Sequence, residues 1–285
     1  MEKPKIRIID QQFNHAPNSF GIGDLKGVFP KYFDWYRGNE NINDVVVITE
    51  NSIHEVSNCS EKIKIFLIIE SPLMNPTFYN DIRNPDLYNK FDYILTFSKD
   101  LVAVNPEKFI WYAFCGCWIF PFDWNVHKKT KDISIVASNK RITEGHRLRH
   151  DAIEKFRDKI EGIYGNGYQF VENKIEALKD FRFHIVIEND NCADMFSEKI
   201  IDAFVTGSIP IYWGSAGNIG NYFNERGILR FNNLPQLETC LFEATENFYN
   251  KRIDAVRENF DIAMKYTLPE NEMWLNFFEP LIFNK

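Results

Sequence analysis

No uninterrupted apolar run in this 285-residue chain reaches the roughly 18 residues that a membrane-spanning helix requires, and the start, Met1 to Asp10, lacks the apolar stretch of a secretory leader. Positive charge is also short: 33 Lys and Arg against 40 Asp and Glu leave a net charge of -7, which argues against a dedicated nucleic-acid binder, whose phosphate contacts need a basic face. The five cysteines, Cys59, Cys115, Cys117, Cys192 and Cys240, are odd in number and lack the paired spacing of a zinc site. Cys115-Gly116-Cys117 has no second Cys pair or His pair to complete four ligands, so free thiols in a reducing compartment are expected. Repeats of solenoid period and low-complexity tracts are missing too. Together these absences point to a cytoplasmic protein with at most peripheral contact with the inner face of a membrane.

What is present is ordinary globular material, 45% hydrophobic and 26% charged, long enough for two domains with proper cores. The 26 Phe read as large core residues. Short β-like runs at Ile6 to Ile9, Val45 to Thr49, Ile65 to Ile69 and Tyr93 to Phe97 alternate with polar or helical stretches. Val28 to Tyr36 and Thr77 to Asn89 read as connecting helices or loops, with Pro30, Pro76 and Pro85 as breakers. From Phe122 to Asp132 the chain turns polar and basic, which predicts a linker. The alternation then resumes: a strand at Ile133 to Ala137, a helix over Gly145 to Lys159, strands at Gly162 to Tyr164 and Phe183 to Ile187, a helix from Asp194 to Thr206, and a strand at Ile209 to Trp213. Near the end a helix carries Ile253, Val256, Phe260 and Met264, and the aromatic tail after Pro269 must dock on a core. Two such α/β units predict two facing doubly wound domains, with ligands outside the carboxyl ends of the strands.

Chemistry concentrates between Phe183 and Gly214. A strand ends in Glu188-Asn189, a polar loop follows, and Ser197-Glu198-Lys199 opens a helix. A helix start with a lysine suits an anion, and a carboxylate beside it can accept hydrogen bonds from sugar hydroxyls. Capping alone would also use Asp194 or Ser197 in this way.

This run, Glu188-Asn189, Ser197-Glu198-Lys199 and Gly207-Ser208-Ile209-Pro210-Ile211-Tyr212-Trp213-Gly214, resembles the donor-binding signature of glycosyltransferase family 10, the α-1,3 and α-1,4 fucosyltransferases. Two further segments agree. Ser138-Asn139 followed by Gly145-His146-Arg147-Leu148-Arg149, then Tyr164-Gly165, is similar to the family's diphosphate-binding stretch. Ile68-Ile69-Glu70-Ser71-Pro72 resembles its catalytic Glu-Ser-Pro segment. Met195 stands where the family often has Tyr. The resemblance implies a GT-B-like fold of two Rossmann-type domains. In it, residues 1–128 bind the acceptor, residues 129–265 bind a GDP-sugar, and the end of the chain, about 266–285, crosses back.

It also implies Glu70 as catalytic base, with donor contacts from Arg149, Arg147, Tyr164, Glu188, Asn189, Met195, Ser197, Glu198 and Lys199, and no metal or cofactor beyond the GDP-sugar itself. Arg147 and Arg149 fall on different helix faces, so only one of them is expected at phosphate. His15, in the polar loop after the first strand, is a candidate acceptor contact. Glu188, Asp190 and Asp194 could also be read as metal ligands, but the family site that they match works without one. The implied reaction is inverting transfer of fucose from GDP-fucose to an oligosaccharide or glycolipid hydroxyl. Alternatives are another GDP-linked deoxysugar, of the colitose or perosamine type, and a non-catalytic nucleotide-sugar-binding module.

Overall fold

The computed structural model describes residues 2–11 and 29–283, with side chains through residue 280, so His15 lies outside the described residues. The chain divides into two compact units, Met1–Gly116 with Leu268–Lys285, and Cys117–Thr267.

In the first unit six strands, β1 (Lys5–Ile9), β2 (Asp34–Tyr36), β3 (Val45–Thr49), β4 (Ile63–Leu67), β5 (Tyr93–Thr96) and β6 (Phe109–Trp111), form a parallel sheet in the order β2-β1-β3-β4-β5-β6. Parallel strands are covered on both faces, which is why β3 reads as Val-Val-Val-Ile-Thr and is buried throughout. The aromatic tail completes this core. Met273, Trp274, Phe277 and Phe278 pack with Ile6, Phe33, Trp35, Val45 and Ile65, and Phe278 meets the Phe33 ring edge-on at 5.3 Å. Buried Glu270 accepts a hydrogen bond from Trp35 Nε1 at 3.4 Å. The expectation of a helix or loop up to Tyr36 needs correction: Asp34–Tyr36 is a strand, paired residue for residue with Lys5 to Arg7.

In the second unit β7 (Lys131–Val136), β8 (Gly162–Tyr164), β9 (Phe181–Ile187), β10 (Ile209–Trp213) and β11 (Leu229–Arg230) form a second parallel sheet, ordered β11-β10-β9-β7-β8. All seven residues of β9 are buried, as its central place requires. The basic stretch expected as a linker is instead built into this unit. Asn125 N–H donates to Val205 O at 3.0 Å, and Lys129 Nζ donates to Thr206 O at 2.7 Å, Lys179 O at 3.1 Å and Ser208 Oγ at 3.1 Å. Polar residues there satisfy backbone carbonyls from other segments, a role that composition cannot distinguish from solvation.

Candidate functional site

The second sheet's carboxyl edge is shaped by two helices that start there. The helix Glu144–Phe156 is capped by Thr143, whose hydroxyl accepts from His146 N–H while the His146 ring returns to Thr143. Its start lies directly on the end of β9. Gly145 N–H donates to Asn189 O at 3.3 Å, and a Cβ at Gly145 would stand 1.8 Å from Glu188 O, so only glycine allows this approach. The helix Glu198–Val205 is capped by Ser197. It starts four residues later than the sequence predicts, because Asp194 has φ 62° and its carboxylate is held by Asn218 Nδ2 at 2.9 Å and Tyr222 OH at 2.6 Å. That arrangement ties the loop over residues 189–196 to the one over residues 214–222, and Asn191 adds a bond to Ala216 N–H at 2.7 Å.

Within this frame Glu188 is 1% exposed. Its carboxylate accepts from Ser197 N–H at 3.0 Å and from Ser197 Oγ at 2.6 Å, and it lies 3.3 Å from Lys199 Nζ. Lys199 also pairs with Glu198 at 3.1 Å and donates to Ser197 Oγ at 2.9 Å. Burial acts to lower the Lys199 ammonium, but the charges of Glu198 and Glu188 outweigh it and hold the pKa above the ordinary value. Burial likewise acts to raise Glu198, yet Lys199 and Lys174 bring it down to about 2. Both groups are therefore charged at neutral pH. Gly214 passes close behind: a Cβ there would meet Glu188 Cγ at 2.7 Å.

Arg149 joins the cluster from the helix Glu144–Phe156. Its Nε donates to Ile187 O at 3.0 Å and its Nη2 to Asn189 Oδ1 at 2.9 Å, which fixes the guanidinium plane and leaves Nη1 without a hydrogen-bond partner among the described residues. Burial holds its pKa below the usual value, with Glu188 and Glu198 opposing. Arg147 points elsewhere. It is exposed and donates to Ile142 O at 3.1 Å, as the two-face argument expected of one of the pair.

The other predicted residues divide. Asn189, Ser197, Glu198 and Lys199 are brought together with Glu188 and Arg149, and the Met195 carbonyl accepts from Ser215 Oγ nearby. Tyr164 is not brought in: its ring is buried edge-on against Phe181, at the amino end of β9. Two of the first N–H groups of the helix Glu198–Val205, those of Ser197 and Lys199, are taken by Glu188 and by Ser197 Oγ, so much of the attraction for an anion falls to the side chains. His146, which the sequence placed in the diphosphate-binding stretch without a role of its own, closes the helix cap. It is 6% exposed, and burial together with Arg149, Lys140 and Lys199 depresses its pKa to about 4. The Thr143-x-x-His146 spacing was the signal available, a capping box with His where Glu or Gln is usual. Among the described residues no group of three or more His, Cys, Asp or Glu stands together as metal ligands.

In the first unit Glu70 is half-exposed just past β4. The strand is shorter than the apolar run implies: β4 stops at Leu67, and the N–H groups of Ile69 and Glu70 turn to the carboxylate of Glu50, at 2.8 and 2.9 Å.

The chain is similar to known proteins in the same region. Residues 126–243 match the family model for glycosyltransferase family 10 (fucosyltransferase), C-terminal part, which bears out the resemblance read from the motifs. The alpha-(1,3)-fucosyltransferase FucT of Helicobacter pylori is 30% identical over 95 residues, 33% of this chain and 20% of that protein. The 4-galactosyl-N-acetylglucosaminide 3-alpha-L-fucosyltransferase 9 of Rattus norvegicus is 25% identical over 194 residues, 64% of this chain and 49% of that protein. The matches thus span at most about half the length of these curated relatives. A solved structure of an alpha1,3-fucosyltransferase with GDP aligns with a TM-score of 0.56 at 16% identity, covering 95% of this chain and 93% of that one. With its two parallel α/β sheets, the chain has the GT-B fold.

Proposed function

We propose that this chain is a glycosyltransferase that moves fucose, with inversion and without a metal, from GDP-fucose to a hydroxyl of an oligosaccharide or glycolipid in the cytoplasm. The observation that carries this reading is the buried Glu188–Ser197–Lys199 cluster with Arg149 beside it, which lies in the segment that matches the family model. Such transfer has two barriers. A diphosphate must leave with the electron pair of the broken C1–O bond, and its charge needs donors already in place; Lys199 and Arg149 Nη1 serve there. The acceptor hydroxyl must lose its proton as its oxygen bonds to C1, and Glu70 takes it, a contribution of about 100- to 10,000-fold. With Glu70 as the base of a single displacement at C1, β-linked GDP-fucose yields an α-fucoside.

Glu198 and Asn189 suit the hydroxyl groups of the donor, while Glu188 works from behind by holding Ser197 and Lys199. With Met195 where the family often has Tyr, a second reading with the same GDP contacts stays open: transfer of another GDP-linked deoxysugar. Five free thiols accord with a reducing compartment, and no helix among the described residues is long and apolar enough to cross a membrane.

Thermal shift tests the donor assignment. GDP should raise the melting temperature, because a ligand bound only by the folded state stabilises it by mass action. UDP should do little, and Lys199→Ala, compared with its own unliganded form, should lose most of the shift. An equal response to UDP would remove the guanine assignment.

A further inference from the structure

Both backbone polar groups of Glu70 are held by buried side chains from the neighbouring segments of the first unit. Glu50, 5% exposed, opens the turn that follows β3, and its Oε1 accepts from Ile69 N–H at 2.8 Å and from Glu70 N–H at 2.9 Å. Tyr79, 6% exposed in the helix Pro76–Asp81, donates its hydroxyl to Glu70 O at 2.7 Å. That helix is itself anchored one residue past Glu70: Asn75 caps Phe78 N–H, and Met74 and Asn75 N–H both donate to Ser71 O. Ile68 N–H still follows the sheet, donating to Leu95 O at 2.9 Å, so the ladder ends one residue before Glu50 takes over. Backbone groups at a strand end are ordinarily satisfied by water or a turn. A carboxylate buried for the purpose bears a desolvation penalty, which it offsets only by accepting hydrogen bonds such as these two.

We propose that Glu50 and Tyr79 are positioning residues that set the carboxyl group of Glu70 for proton transfer, an inference that rests on Glu70 as the base. Fixing the backbone on both sides of Cα leaves the Glu70 side chain only its own rotamers. A base displaced by about 1 Å loses on the order of 100-fold in rate. Both side chains are buried and act through the Glu70 backbone, so their effect belongs in turnover and not in donor affinity.

The test uses four variants of the full chain, GDP release from GDP-fucose on the oligosaccharide that the wild type accepts best, and GDP thermal shifts. Glu50→Ala should lower kcat by about 10- to 100-fold with KM for GDP-fucose and the GDP shift unchanged. Glu50→Gln, which keeps an Oε1 acceptor, should restore most of that loss. Tyr79→Phe, which removes one hydroxyl and keeps the ring, should give a smaller loss of the same kind, and it carries the test if Glu50→Ala fails to fold. Glu70→Gln runs beside them. If it keeps normal turnover, the base assignment fails and this inference falls with it. If it is inactive while Tyr79→Phe and any folded Glu50→Ala turn over at the wild-type rate, the positioning inference alone is wrong. Loss of kcat only in proportion to lost folded protein, with no rescue by Gln, would also overturn it.

Discussion

Glu188 illustrates how a buried charge is kept: two donors from Ser197 and the Lys199 ammonium surround a carboxylate that water scarcely reaches. The same engagement bears on metal use, because Glu188 and Asp194 already accept the hydrogen bonds that their carboxylates would have to give up to a cation. Transfer is therefore expected to persist in EDTA, and a complete loss that Mn²⁺ restores would make one of these carboxylates a ligand. Two buried histidines contribute to the pH dependence of stability on the acid side. His146 is depressed to about 4, by burial first and then by Arg149, Lys140 and Lys199, and His184 to about 3, by burial and then by Lys174 and Lys129. In the unfolded chain both titrate near 6.5. Below that pH the unfolded state binds protons that the folded state refuses, so stability is full above about 6.5 and declines as pH falls toward 4. Urea denaturation across that window should show the decline, and His146→Gln, which cannot titrate, should remove part of the slope. An identical slope in the variant would contradict the assignment.

At the scale of elements, the site depends on how closely the helix Glu144–Phe156 meets the end of β9. Gly145→Ala would drive a Cβ into Glu188 O, 1.8 Å away, and backbone cannot yield as a flexible side chain can. We expect a loss of at least about 2 kcal/mol together with most of the GDP-induced thermal shift, measured by calorimetry with and without GDP. A variant as stable and as responsive as the wild type would show that the approach is looser. Strands with strong apolar runs were legible, as at Val45–Thr49 and Ile209–Trp213, which match the predicted bounds. Asp34–Tyr36 and Phe109–Trp111 were not, because three residues establish no period and pairing with a neighbour makes them strands; Gly162–Tyr164, equally short, was marked by the helix before it and Gly165 after it. The start of the second helix was misread for a related reason. Asp194 is a good capping residue by type, but Asn218 and Tyr222, far along the chain, capture its carboxylate.

At the scale of the molecule, the fold class was legible from α/β alternation, and the cluster at Glu188 from motif order. The return of the chain is visible as a consequence of its aromatic end: Trp274, Phe277 and Phe278 lie in the same core as Ile6 and Val45. What sequence could not supply were the long-range partners, such as the carbonyls that hold Lys129, the Ile187 carbonyl and Asn189 amide that hold Arg149, and Glu50 under Glu70. Catalysis by Glu70 is tested by acceptor-dependent GDP release from GDP-fucose by the wild type and by Glu70→Gln, with GDP thermal shifts taken on both. Release by the wild type, a fall in kcat of at least about 100-fold in the variant, and the same GDP shift in each are expected. Near-normal turnover by Glu70→Gln, or no release from any GDP-linked sugar with any glycan, would contradict this role of Glu70.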